Sequence, residues 1–437
     1  MESVGDSADR TRSSRIRRVG WGLTIAVSLA IAYGTLSPRP AMSGREGYAA
    51  LCRICDGTPG VDVIANVILF IPLGIALILA GMRPVRALLV MAAMTTAIEL
   101  TQLRMVAGRD ASVVDIVTNL TGALVGVIIG RHWRTLARPN ARTATSLAVG
   151  AAVAFLAVVG ATSVALTPSL TSPPWQSNRG PGSEVGSSGR ILDLSVAGQA
   201  VMVDDTVRNA AAVRAGLLAG QPVVVTAIVP RDPTQSTHLA QILDFDIDDI
   251  VVVSRAGDHA TFHLRNAGRD ARLREVAVRL TGFFREPGSD TVRVTGAWEH
   301  GSLVIAGQRG STVREYVLPL TASLGWAFLL PNGGVGPSYT PVSAAWLAIL
   351  LLPFAYWSTL AARAPSAAVR WRVVQAIVIG AALLGPSRIL SLAPPRWWEW
   401  VVALAVVGAT ELAAVAIFRW THVPQDRARE GQELART

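Results

Sequence analysis

The sequence predicts a polytopic α-helical membrane protein of about eight transmembrane helices with an inserted extracytoplasmic all-β sandwich (jelly-roll) domain. Three observations carry that prediction. Hydrophobic residues make up 51% of the chain and charged residues only 16%, against roughly a quarter in soluble domains. The apolar residues gather in runs of about twenty, the length a helix needs to cross a bilayer. Between the fifth and sixth runs lies a long polar stretch whose apolar pattern has period two, the mark of half-buried strands. This composition excludes a disordered chain, a coiled coil and an ordinary cytosolic enzyme.

Hydropathy places helices near 19–36, 62–81, 84–103, 112–130, 145–166, 341–361, 371–390 and 398–418. The organisation that follows is an Arg-rich tail at 1–18, a five-helix membrane domain at 19–166 and a linker at 167–189. A β-sandwich at 190–318, a second linker at 319–340, three helices at 341–418 and a tail at 419–437 complete it. All 40 basic residues are Arg. The two tails and the alternate loops that share their side carry 18 of them, and the opposite short loops carry 7. The positive-inside rule therefore puts both termini in the cytoplasm and 167–340 outside. Residues 171–340 are close to neutral, with 15 Arg against 16 acids, so the net charge of +10 reports orientation in the membrane rather than nucleic-acid binding. Trp21, Trp133, Trp326, Trp371, Trp397, Trp398, Trp400 and Trp420 fall at span ends, as an interfacial belt requires. No small-residue cleavage site follows the first span, which is read as retained.

The second to fourth spans carry the polar residues. Asp62 and Asn66 are four apart and share a helix face, as do Asp115 and Asn119; Glu99 and Gln102 are three apart. All three pairs lie toward the predicted outer side, and Arg104 and Arg109 are the available counter-charges. Carboxylates at such depth are costly unless paired, so they face the bundle interior or a wet cavity. Two readings stay open: hydrogen-bonding glue between helices, or a binding site. Pro72 frees a backbone carbonyl one turn back in the second span. Gly122, Gly126 and Gly130 form a small-residue stripe for close packing, with Gly74 on the second span. No Gly-Lys-Ser/Thr follows that stripe, so it is not a phosphate loop.

Taken in order, Asp62, Asn66, Phe70-Ile71-Pro72-Leu73-Gly74, Glu99, Gln102, Arg109, Asp115, Asn119 and Gly122 resemble the VanZ-like family, over roughly 50–135. The resemblance implies a bacterial membrane protein linked, in the family's namesake, to low-level resistance to the lipoglycopeptide teicoplanin. It implies no molecular mechanism, and the namesake is small and lacks the insert.

Cys52 and Cys55 are the only cysteines, on the predicted outer side, where oxidation is favoured. They read as a local structural disulfide or a Cys-x-x-Cys redox pair, without the strand-to-helix setting of a thioredoxin motif. Zinc would need more ligands than lie nearby, and neither a metal nor a cofactor is expected.

In the insert, strand-like runs fall at Ile191–Val196, Val201–Val207, Pro222–Val229, Gln241–Phe245, Asp249–Arg255, Ala260–Arg265, Val276–Phe284, Thr291–Trp298, Ser302–Ala306 and Arg314–Leu318, interrupted by a helical patch at Asn209–Ala219. The patch, the strand at 222–229 and the segments Ala240–Phe245 and Ala260–Arg265 resemble concanavalin A-like (laminin-G-like) domains, which implies a glycan-binding role. No Glu-x-Asp-x-Glu carboxylate set is present, which disfavours glycoside hydrolysis. Asp244, Asp246, Asp248 and Asp249 lack the Gly and closing Glu of an EF-hand loop and read as a strand's solvent face. His259 and His263 read as surface or packing residues. Trp175 and Trp298 are candidates for stacking on sugar, with core packing favoured for Trp298. In the last span Glu411 is an intramembrane acid, either structurally paired, with Arg388 in snorkelling range, or part of a site.

The functional expectation is a non-catalytic envelope protein. It would bind an amphiphilic or lipid-linked glycan ligand at the outer leaflet and cell-wall glycan through the ectodomain. The alternative is a membrane enzyme acting on a lipid-linked substrate, with Glu99 and Asp115 as acid and base and Arg109 holding an anion. A transporter is disfavoured, because the polar residues cluster at one face and no inverted repeat is visible. The expected partners are the bilayer and an envelope glycan or lipid-linked precursor, with no nucleic acid.

Overall fold

A computed structural model describes residues 4–37, 59–105, 112–178, 190–202, 205–229, 237–246, 248–285, 290–330, 334–363 and 365–414. The chain divides into two compact units, Met1–Asn140 and Ala141–Thr437. Among the described residues eight helices are long and apolar enough to span a membrane. The protein is therefore a polytopic helical membrane protein with an inserted β-sandwich.

The first unit holds α1 (Val4–Leu36), α2 (Pro59–Leu79), α3 (Pro84–Met105), α4 (Val113–Arg131) and the short α5 (Trp133–Ala137). Proline opens α2 and α3, where its missing N–H costs nothing and its fixed φ suits a helix start. Gly81, at φ +90°, closes α2. Met82 N–H donates to the Leu77 carbonyl and Gly81 N–H to that of Ile78, both at 3.0 Å, the Schellman pairing that left-handed glycine permits. Ser112 caps α4, its hydroxyl accepting from Val114 N–H at 3.2 Å.

The glycine stripe sets how closely α2 and α4 approach. A Cβ on Gly122 or Gly126 would fall onto the carbonyl oxygen of Val67 or Ile71. One on Gly74 would lie 2.6 Å from the Ala123 carbonyl oxygen. Backbone therefore meets backbone along this seam, which is how small residues join helices in lipid. Ile31, Phe70, Leu73, Leu77, Met91 and Val127 fill the space beside it.

The second unit holds α6 (Ala141–Ala165), the sandwich with its helix α7 (Ala210–Leu218), α8 (Thr340–Ala361), α9 (Pro365–Ile389) and the span Trp397–Ala414, here α10. The fifth span, grouped above with the first four by sequence order, packs here instead. Its Ala144, Ala148, Phe155 and Val159 share a core with Leu347, Leu351 and Phe354 of α8 and Ala382 and Leu383 of α9. Hydropathy identifies a span but not its neighbours, which are chosen by side-chain shape.

The sandwich has two antiparallel sheets. One runs in the order β1 (Gln176–Asn178), β5 (Thr237–Leu243), β6 (Asp249–Ala256), β7 (His259–Leu264), β8 (Val278–Leu280). The other runs β11 (Thr312–Pro319), β10 (Ser302–Arg309), β9 (Thr291–Glu299), β4 (Val223–Ile228), β2 (Arg190–Val196), β3 (Gln199–Ala200). Alternating Val223, Val225 and Ala227 on β4, and Val292 and Val294 on β9, face Ile242, Val251, Val253, Phe262 and Leu264 across the core. Gly296 of β9 makes room for the Phe262 ring, which a Cβ there would strike.

Two expected strands shrink. Among the described residues of 201–207 only Thr206 makes an isolated bridge, to Gln176, and Val276–Phe284 is reduced to Val278–Leu280 by a turn at Gly282. The segments expected as linkers are largely packed where they are described. Leu166, Leu170 and Trp175 before the sandwich, and Leu320, Leu324, Ala327, Phe328 and Val335 after it, enter its core. Pro and Ser there mark turns, while the interleaved Leu, Phe and Trp supply buried area. Further ties join sandwich to helices within this unit. Gly268 N–H donates to the Ala165 carbonyl at 2.9 Å, and a side chain at Gly301 would strike Leu392 and Ala393.

Candidate functional site

α1 ends, α2 begins, α3 ends and α4 begins at the same end of the first unit's up-and-down helices. Asp62, Asn66, Glu99, Gln102, Asp115 and Asn119 all lie on these terminal turns. α3 is the organiser, because its i, i+3, i+4 spacing turns Thr95, Ile98, Glu99 and Gln102 inward as one buried face. Glu99, 6% exposed, accepts a hydrogen bond through Oε2 from Ser112 N–H at 2.8 Å. Its carboxylate thus meets the N-terminus of α4, where unpaired N–H groups and the helix dipole favour negative charge. Asn119, 4% exposed, donates through Nδ2 to Thr95 Oγ1 at 2.8 Å. Gln102, 7% exposed, donates through Nε2 to the Thr35 carbonyl at 2.9 Å, tying α3 to the last turn of α1.

The remaining sequence-picked residues divide. Asp62 and Asn66 are half-buried in the first two turns of α2, and Asp115 is half-buried in the first turn of α4. Asp62, Glu99 and Asp115 all have further polar partners. Arg104 is exposed in the last turn of α3. Arg109, Cys52 and Cys55 lie outside the described residues, so the counter-charge and disulfide expectations fall there too. Ser112 and Thr95 were not singled out from sequence. A capping Ser before an apolar run carries a signal, whereas a lone Thr inside a span carries none.

Two buried acceptors remain open. Gln102 Oε1 and Asn119 Oδ1 have no hydrogen-bond partner among the described residues. An unsatisfied buried amide oxygen costs about 1–3 kcal/mol, so each is a place for a donor from water or ligand. The site can therefore accept hydrogen bonds from hydroxyl or amide donors beside fixed carboxylates.

Elsewhere three sequence expectations are revised. Glu411 is 3.7 Å from Arg372, not near Arg388; α9 and α10 run antiparallel, which brings the end of α10 to the start of α9. Trp175 is fully buried and offers no face to a sugar, while Trp298 packs, partly buried, against the sandwich core. The Asp row is divided among structural roles. Asp244 Oδ1 accepts from Asp246 and Asp248 N–H at 3.0 and 2.9 Å, Asp248 pairs with Arg269 at 2.7 Å, and Asp249 accepts from Gln241 Nε2. The histidines also differ from one another. Burial lowers the His238 and His259 pKa values, Asp249 opposing at the first and Asp258 at the second. His263 is buried too, but Glu275, 3.1 Å from its Nε2, outweighs that cost and raises its pKa.

Residues 23–134 match the protein-family model described as VanZ/LLP1, about a quarter of the chain. The match covers α2 to α4 and the C-terminal part of α1 from residue 23, and so every residue of the polar cluster. No curated protein and no solved structure matches the chain.

Proposed function

We propose that this is a non-catalytic cell-envelope protein whose helix-end polar cluster binds an amphiphilic or lipid-linked glycan ligand at the outer leaflet. The observation that carries the reading is the pair of open acceptors, Gln102 Oε1 and Asn119 Oδ1, buried beside Glu99 at the end of a lipid-spanning bundle. A sugar or amide headgroup supplies the donors they lack, and its lipid stays in the bilayer. Arg109 and Arg104, on the same loop side, would hold an anionic group on such a ligand. The charge asymmetry of the loops supports cytoplasmic termini and an external sandwich. We read that sandwich as a concanavalin A-like domain, which would engage cell-wall glycan. The VanZ/LLP1 match over the same helices supports an association with glycopeptide resistance.

The test is teicoplanin susceptibility, with vancomycin as control, in a sensitive Gram-positive host at matched membrane levels. Full-length protein is expected to shift teicoplanin alone, and Glu99→Gln and Asn119→Leu to abolish the shift. No shift from the full-length protein refutes a resistance role in that host. The competing enzyme reading, with Glu99 and Asp115 as acid and base, demands turnover of a lipid-linked substrate that Glu99→Gln abolishes without loss of binding.

A further inference from the structure

Cross-strand register places Gln241 of β5, Val252 of β6 and His263 of β7 side by side. Their neighbours Ile242, Val251 and Leu264 fill the sandwich core, so this row faces the other way. Residues 265–275 return near it and bring Glu275 to His263, with Nε2 and Oε2 3.1 Å apart. Asp249 at the start of β6 completes a set. One ligand atom each from Asp249, His263 and Glu275 lies within 4.8 Å of the other two.

The surroundings leave this set incomplete as it stands. Glu275 Oε1 is buried and has no hydrogen-bond donor among the described residues, and neither does His263 Nε2 find hydrogen-bond geometry despite its proximity to Glu275. Buried carboxylate oxygens are otherwise nearly always satisfied. Asp249 is held in place by Gln241 Nε2, the kind of outer contact that orients a metal-binding carboxylate. The charge of His263 is felt at His238 of β5, which adds a second imidazole to the neighbourhood.

We propose that Asp249, His263 and Glu275 bind a divalent first-row transition ion, Zn²⁺ or Mn²⁺, on the outer face of the five-stranded sheet. One imidazole and two carboxylates are ligands for such ions, with bonds of about 2.0–2.2 Å for zinc. Ligand atoms around an ion are separated by up to about twice that length, so the set closes on one with shifts under about 1 Å. The ion occupies the open positions at His263 Nε2 and Glu275, and it fastens the 265–275 segment to the sheet. The Arg269 guanidinium, paired with Asp248 2.7 Å away, is the cation it must outcompete nearby. This site is independent of the membrane cluster and of its proposed ligand.

The test uses the full chain in detergent, its purification tag removed, stripped with chelator and titrated with Zn²⁺, Mn²⁺ and Ca²⁺ by calorimetry. One Zn²⁺ or Mn²⁺ is expected per chain, with proton release, and with affinity at least tenfold weaker in His263→Ala and in Glu275→Gln. X-ray absorption of the zinc-loaded wild type is expected to show nitrogen and oxygen neighbours with at least one imidazole, a readout that does not depend on how the variants fold. Absence of binding at 1:1, sulfur in the coordination shell, which would assign the ion to Cys52 and Cys55, or full affinity in folded His263→Ala would each overturn the proposal.

Discussion

Replacing Gly126 with Ala tests whether the α2–α4 seam sets the geometry of the polar cluster. The new Cβ would fall onto the Ile71 carbonyl oxygen and 3.0 Å from Gly74 Cα. Ordinary contact needs 3.4–4 Å, and both obstacles are backbone, so no side chain can swing away. The helices must separate by roughly 1 Å, an overpacking strain of about 1–3 kcal/mol. Helix propensity returns at most about 1 kcal/mol of that, since Ala is the better helix former. Gly22, with nothing within 4 Å, gains the propensity without the clash. Amide hydrogen exchange in detergent reads the difference locally, since about 1.4 kcal/mol is tenfold in protection. Gly126→Ala is expected to lower protection across α2 and α4 by up to roughly thirtyfold, and Gly22→Ala to leave α1 equal or better protected. Gly122→Ala, set against the Val67 carbonyl, should match Gly126→Ala, and the double variant should fall short of the sum because one separation relieves both clashes. Equal protection in Gly126→Ala and Gly22→Ala would refute the backbone-contact argument.

Other outcomes follow from named contacts. Thr95→Val should cost about 1–3 kcal/mol by orphaning Asn119 Nδ2, and adding Asn119→Leu should recover part of it, a coupling that a double-mutant cycle measures. Glu399, 1% exposed, accepts from Thr321 Oγ1 at 2.5 Å and from Arg396 N–H at 3.0 Å; Glu399→Ala should destabilise the second unit by about 2–4 kcal/mol in thermal unfolding, Glu399→Gln by less. The His263 pKa is raised in the fold, so its contribution is present below the unfolded value near 6.5 and is lost as pH rises through the folded value. His238 has the opposite sign: its contribution is present above about 6.5 and is lost as pH falls through its lowered folded pKa. In chelator, His263→Gln should flatten the alkaline side of the stability–pH curve and His238→Gln the acid side.

The spans were legible because the bilayer imposes one length and one composition on every crossing helix. The polar pairs were legible as faces, since spacings of three and four fix which residues look the same way. Their partners were not, because rotation about a helix axis is decided by neighbours: nothing in the spacing of Glu99 announces that it accepts from Ser112 N–H. Strand positions followed from alternation, and the described part of Val201–Val207 meets its neighbours through single bonds, at Leu194, Trp175 and Ser177, rather than a continuous ladder. Asp249, His263 and Glu275 are far apart in sequence, and only the register of β6 against β7 and the return of 265–275 bring them together. No local pattern announces such a set.

The acids inside the described spans are Asp62, Glu99, Asp115, Glu399 and Glu411, and four of them share one solution. Asp62 and Asp115 stand in first turns, and Glu99 and Glu399 accept N–H groups at the starts of α4 and α10. A helix N-terminus offers a carboxylate N–H donors and positive potential. Glu411, far along α10 from that helix's own start, takes Arg372. The carboxylates of the polar cluster are therefore accounted for by the fold itself, and losing Glu99 disturbs structure as well as any ligand. The amide oxygens of Gln102 and Asn119 are not accounted for, which makes them the sharper probe. Gln102→Glu keeps the shape but exchanges the Nε2 donor for an acceptor facing the Thr35 carbonyl, so it should loosen α1. Thr95→Val with Asn119→Leu drops the open acceptor and removes both partners of the Asn119–Thr95 bond together, so no donor is orphaned. If the cluster binds a donor-rich headgroup, that double variant should lower ligand-dependent activity at least tenfold with α3–α4 protection closer to wild type than in Thr95→Val alone. If the cluster only joins helices, activity and protection should fall together, and a parallel loss would refute the binding reading.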